Sequence, residues 1–167
     1  MQTETHAWAG ESGRWVLLAY RMPREPSRPR IAVWRKLERL GVARLGDGLV
    51  ALPADARTRE QLDWIAEEIS ENGGVATLWL ATPGSAGQER DIAQAMRAAR
   101  AAEYQAVTTE AVAAASGGEA ERTRVVRRLR AELGRIGRRD FFPPHERDAA
   151  RAAVQALATD HTVWEST

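Results

Sequence analysis

Residues 15–83 decide the fold: WVLLAY (15–20), RIAVWRKLERLG (30–41), VARLGDGLVALP (42–53), TREQLDWIAEEISENGG (58–74) and VATLWLATP (75–83). WVLLAY is a short apolar run rich in strand formers, stopped by Pro23, Pro26 and Pro29, and reads as a buried central strand. Ile31, Val33, Trp34, Leu37 and Leu40 then recur at helical spacing, with Arg35, Lys36 and Arg39 facing away. Gly41 closes that helix, and Pro29 suits its first turn. Residues 42–45 and 49–52 read as two short strands around Gly46-Asp47-Gly48, a turn whose glycines supply positive φ. Asp47 is accordingly a turn residue rather than a catalytic acid. Thr58 and Gln61 have capping-box spacing ahead of the stripe Leu62, Ile65, Ile69, and Gly73-Gly74 end the helix. VATLWLATP is the last strand. The order β-α-β-β-α-β predicts an α+β fold, a ferredoxin-like split-βαβ sheet over residues 14–83 with two helices on one face.

From Ser85 onward the texture is helical. Ser85 and Gln88 repeat the capping-box spacing, and Ile92, Met96, Ala99, Ala106 and Val107 form a small-residue stripe to about residue 115. Ser116-Gly117-Gly118 interrupts it. A second helix is expected from about Glu119 to Arg139. A third, after Pro143-Pro144, runs from about His145 to Ala158, with Val154 and Leu157 as its larger apolar residues. Residues 84–160 are thus expected to form a helical extension, packed on or swapped against the sheet domain.

Composition narrows the classes. The 167 residues are 44% hydrophobic and 28% charged, as in globular proteins. No apolar run approaches the roughly 18 residues of a membrane span, and residues 1–13 lack a basic start and an apolar segment, so neither an anchor nor a signal peptide is expected. The absence of cysteine removes disulfides, thiolate metal sites and cysteine nucleophiles, and fits a cytoplasmic location. The three histidines, His6, His145 and His161, form no metal-binding spacing. No nucleophile elbow, P-loop or GxGxxG is present. Catalytic residues, a metal and cofactors are therefore not expected. The six tryptophans (Trp8, Trp15, Trp34, Trp64, Trp79, Trp164) read as core anchors, because base stacking on a sheet would need them exposed.

The net charge of +1 hides a pattern. Residues 14–44 carry nine bases against two acids, residues 45–121 five against thirteen, and residues 122–139 eight against one. Arg is nearly the sole base, with a planar fork suited to phosphate and other oxyanions, although GC-rich codon usage also raises Arg. In the 122–139 helix, Val125, Val126, Leu129, Leu133 and Ile136 share an arc of about 100°. Arg124, Arg127, Arg128, Arg130, Arg135, Arg138 and Arg139 lie opposite and are the candidate nucleic-acid-binding residues. Their counter-charge is either nucleic-acid phosphate or the protein's own acids, Glu67, Glu68 and Glu71 among them. Gly134 and Gly137 lower helix propensity and permit close packing or a kink. Arg21, Arg24, Arg28 and Arg30 surround a proline-stiffened loop beside a helix N-terminus. They are either a solvated loop or the candidate anion-binding residues.

The block WVLLAYRMPREPSRPRIAVWRKLERLGVARLGDGLVALP resembles the N-terminal domain of ChrB, the regulator associated with bacterial chromate-resistance operons. The similarity continues through DWIAEEISENGG, VATLWLA, ERDIAQAMRAARAAEY and VVRRLRAELGRIGRRDFFPPHERDAARAAVQAL, about residues 14–158 in all. The resemblance implies a cytoplasmic, DNA-associated transcriptional regulator whose output responds to chromate, with promoter DNA as partner. ChrB proteins usually carry a further C-terminal domain. A chain ending at Thr167 is expected to be a stand-alone paralogue or a shortened form, with chromate responsiveness dependent on where the sensor lies. The sheet portion is similar, more distantly, to the Cas2-like domain of PaaX-type repressors. Metal-dependent Cas2 nucleases have an acid at the end of the first strand, where this chain reads Ala19-Tyr20-Arg21, so a metal nuclease is not expected. The alternative to a DNA-binding regulator is an oxyanion-sensing or protein-interaction module on an inactive Cas2-like fold. A homodimer is expected, because apolar edge strands need protection.

Overall fold

The computed structural model describes residues 13–160. The chain forms two compact units, Met1–Met96 and Arg97–Thr167. Its elements are β1 (Trp15–Arg21), α1 (Ser27–Leu40), β2 (Ala43–Gly46), β3 (Leu49–Pro53), α2 (Ala56–Glu71), β4 (Val75–Ala81), α3 (Ala86–Ala114), α4 (Glu119–Arg138) and α5 (Glu146–Thr159). This is an α+β protein.

In the first unit the sheet order is β2-β3-β1-β4, with every neighbouring pair antiparallel. β1 is central, as its run of apolar residues requires: Leu18 faces Val50 on β3 and Leu78 on β4. Val16, Leu18, Val50 and Leu52 are buried, together with Val33 and Leu37 of α1 and Leu62, Ile65 and Ile69 of α2. Both helices lie on one face of the sheet. Tyr20 and Val50 share a cleft with Arg30, Ile31 and Trp34 of α1, while Val16, Leu78 and Leu80 share another with Arg59 and Asp63 of α2. Ladders join strands of alternating side-chain direction, so these contacts place the helices on the Val16–Leu18–Tyr20 side.

The helix boundaries follow local chemistry. α1 starts earlier than its apolar stripe suggests, with Pro26 as N-cap and Pro29 in its first turn, and ends at Gly41 in the left-handed conformation. α2 starts at Ala56, two residues before the expected cap. Asp55 is the N-cap, and Thr58 stands at its third position. The Asp55 carboxylate accepts from Thr58 N–H at 2.7 Å, and Thr58 Oγ1 accepts from Asp55 N–H at 3.0 Å. Thr58 Oγ1 also donates to the Pro53 carbonyl at 2.7 Å, which satisfies the end of β3 and lets this hydroxyl be wholly buried. Ser85 Oγ accepts from Gln88 N–H at 3.1 Å ahead of α3.

The tryptophan expectation needs correction. Trp15 is buried, but Trp34 is only half-buried, and Trp64 and Trp79 are 63% and 59% exposed. Trp64 stands about 160° from Leu62 around α2, far from the buried stripe. Trp79 lies on β4, a sheet edge, where strand alternation sets it opposite Leu78 and Leu80. Trp8 and Trp164, like His6 and His161, lie outside the described residues.

The second unit is helical. Tyr104, Val107 and Ala111 of α3 meet Val126, Leu129 and Ile136 of α4 and Ala150, Val154 and Leu157 of α5 in one apolar cluster. Tyr104, absent from the small-residue stripe read from sequence, is its largest member.

Candidate nucleic-acid and anion interface

Three apolar side chains hold α4 down. Val126, Leu129 and Ile136 are buried, and Val125 and Leu133 pack beside them. The helix follows Gly118, carries Glu119 and Glu121 in its first turn and Arg135 and Arg138 in its last, and so matches its own dipole. The apolar seam fixes the rotation of the helix, and Arg124, Arg127, Arg128, Arg130, Arg135 and Arg138 are all exposed.

These arginines divide by their partners. Arg128 Nη2 pairs with Glu110 at 2.6 Å, and Arg135 grips Glu132 through Nε and Nη2 at 2.9 and 2.6 Å. Arg139, the C-cap, is only 15% exposed and donates to Glu103 at 2.9 Å. Arg100 Nε stands 3.0 Å from the same carboxylate, an ion pair whose angle is not that of a hydrogen bond. Burial pulls the Arg100 pKa below its usual value, against the attraction of Glu103. Arg124, Arg127, Arg130 and Arg138 have no acidic partner among the described residues. They share an arc of about 120° on the helix, and Arg124 to Arg138 spans about 21 Å. Arg127 and Arg130 also flank a groove of about 360 Å³ floored by Val126 and Leu157. Glu103, Glu110 and Glu132 are acids that pair with these arginines among the described residues. Glu68 pairs instead with Lys36.

The second cluster sits where β1 turns into α1. Arg21, Arg24, Arg28 and Arg30 are exposed and have no acidic partner among the described residues. α1 has no side-chain cap and no acid in its first turn, so its free N–H groups and positive dipole end favour an anion. The four do not converge on one cavity. Arg30 alone enters the cleft between α1 and the β2–β3 hairpin, where it joins Tyr20, Trp34 and Arg44. The last three were not read as binding residues from the sequence, since their meeting depends on sheet register.

Among the described residues no group of three or more His, Cys, Asp or Glu side chains lies close enough to hold a metal ion. No described helix is long and apolar enough to cross a membrane.

Fold and surface together define a small α+β protein with an arginine-rich helical unit. The chain belongs to the family described as Protein ChrB, N-terminal, whose model matches residues 30–165, from the first turns of α1 to beyond α5. The family sets it in the context of chromate-resistance regulation. No curated protein and no solved structure matches the chain.

Proposed function

We propose that this protein is a ChrB-like transcriptional regulator of chromate resistance that binds promoter DNA through α4, on a ferredoxin-like, Cas2-like sheet. The observation that carries the reading is the row Arg124, Arg127, Arg130 and Arg138: exposed, on one side of a well-anchored helix, and without acidic partners among the described residues. Guanidinium groups so placed meet phosphate without first breaking an internal pair. The strand order β2-β3-β1-β4 with an antiparallel ladder throughout, and both helices on one face, supports the split-βαβ assignment. The exposed arginines around the uncapped start of α1 support response to an oxyanion. The edge strand β4, with Val75, Trp79 and Leu80 exposed, supports pairing with a second copy of the chain.

The test is binding to the chain's own promoter fragment across a salt series, with and without chromate. Four phosphate contacts give a log–log slope near −3.6 on duplex DNA, at about −0.9 per phosphate. Replacing Arg124, Arg127, Arg130 and Arg138 by Gln flattens that slope. Salt-insensitive binding, or no binding, leaves the alternative of an oxyanion-sensing or protein-interaction module. Unchanged binding by the fourfold variant removes α4 from the interface.

A further inference from the structure

The cleft between α1 and the β2–β3 hairpin has the chemistry of a ligand site. Its volume is about 300 Å³, at the lower end of small-molecule pockets. Ile31, Trp34 and Val50 form apolar walls, and Ile31 is 45% exposed at its margin. Three polar side chains reach it, and all are donors. Arg30 has no acidic partner among the described residues. Arg44 lies over the Trp34 ring at 5.3 Å from its centroid, a cation–π contact that keeps the guanidinium beside this wall. Among the described residues its only acidic partner is Asp47, 99% exposed on the turn, so that pairing is weak and readily exchanged. Tyr20 is half-buried, and its hydroxyl makes no hydrogen bond among the described residues. Burial raises its pKa, against the opposing pull of Arg44, so the phenol stays a donor at neutral pH.

The frame is fixed. Tyr20 N–H donates to the Gly48 carbonyl at 2.8 Å, tying the hairpin to β1. Gly48 has φ +70, and a Cβ there would stand 2.3 Å from the Tyr20 carbonyl oxygen, so only glycine permits this approach. Gly46 also lines the cleft and leaves it open: a Cβ there would meet nothing within 4 Å.

We propose that this cleft binds a small organic anion, a carboxylate whose charged end lies between Arg30, Arg44 and Tyr20 and whose apolar body lies against Ile31, Trp34 and Val50. Three donors with no carboxylate among the lining residues exclude a cation and call for an acceptor that carries negative charge. An inorganic oxyanion would satisfy the donors but leave the apolar walls in water. The proposal is independent of DNA binding by α4.

Benzoate is the probe. It is titrated into the full chain at constant ionic strength, with the Trp34 indole N–H followed by NMR, and sodium sulfate is titrated in parallel. The expected result is a saturable shift with a dissociation constant of about 1–10 mM or tighter, given the ligand's few heavy atoms. Arg30→Gln removes a charged donor, and Gly46→Leu fills open space in the cleft. Each weakens benzoate about tenfold or more, with the dispersion of the wild-type spectrum retained. Sulfate binds about tenfold more weakly than benzoate, or not at all. No saturable benzoate shift up to about 20 mM, equal affinity in Arg30→Gln, or sulfate binding as tightly as benzoate overturns the proposal. If Gly46→Leu fails to fold, Arg30→Gln and the sulfate series decide it.

Discussion

The Tyr104 hydroxyl donates to Asp140 Oδ2 at 2.8 Å across 36 residues of sequence, joining the middle of α3 to the residue just beyond the C-cap of α4. Tyr104 is also the largest side chain of the helical unit's apolar cluster, with 1% of its surface exposed. One residue thus fills the core with its ring and fixes the end of the arginine-rich helix with its hydroxyl. Tyr104→Phe keeps the ring and leaves Asp140 without that donor. The variant should lose about 1–3 kcal/mol in urea denaturation. A stability equal to wild type would show that water replaces the phenol without cost.

Asp140 gives this unit a pH signature. Burial raises its pKa above 3.8, although the Tyr104 hydrogen bond and then Arg147, Arg100 and Arg151 pull the other way. The folded state therefore holds the proton more tightly than the unfolded chain, and stability contributed by this group falls as pH rises from 3.8 through the folded value. Asp140→Asn removes the titration and keeps an acceptor for Tyr104. Its stability relative to wild type should be higher at pH 7 than at pH 3. Denaturation at both pH values checks this, and an identical difference at the two would overturn it.

The Asp55–Thr58 box holds the start of α2 and the end of β3 together. Thr58→Val removes a wholly buried hydroxyl that donates to Pro53 and accepts from Asp55, at about 1–3 kcal/mol. Asp55→Ala removes the cap at about 1 kcal/mol. The two residues serve each other, so the double variant should cost less than the two losses added, which a double-mutant cycle reads directly.

Edge strand β4 makes self-association testable. Trp79 is 59% exposed on a strand that pairs on one side only among the described residues. Light scattering should give wild type about twice 18.4 kDa and Trp79→Glu a monomer with an unchanged far-ultraviolet spectrum. A monomeric wild type would remove β4 as a dimer edge.

What was legible in the sequence was what depends on period. The alternation and apolar runs of residues 15–81 gave strands and helices in their observed order, because core burial imposes periods of 2 and 3.6 on any chain. The arginine face of α4 was legible for the same reason. What depended on register or tertiary partners was not. Thr58 looked like an N-cap because Gln61 followed it, yet Asp55 three residues earlier accepts from the Thr58 N–H and starts the helix at Ala56. Trp64 and Trp79 read as core anchors, but position on the helix and at the sheet edge decides exposure. The sorting of α4 into paired and unpaired arginines needed Glu103 and Glu110, which lie on a different helix. Arg30, Arg44, Trp34 and Tyr20 meet only because β1, α1 and β2 are neighbours in space.

That sorting gives the sharpest contrast. Arg139 is 15% exposed and shares Glu103 with Arg100, whereas Arg127 is exposed with no acidic partner among the described residues. Arg139→Gln leaves Glu103 half-compensated in a partly buried place, at about 1–3 kcal/mol of stability, while the salt slope of promoter binding stays as in wild type. Arg127→Gln touches no internal pair. Its stability should remain within about 0.5 kcal/mol of wild type, while the salt slope falls by about 0.9, one phosphate contact. Denaturation and a salt series on the two variants side by side read both quantities. If Arg139→Gln weakens DNA binding without destabilising the fold, or Arg127→Gln does the reverse, then ion pairing within the helical unit does not decide which arginines reach phosphate.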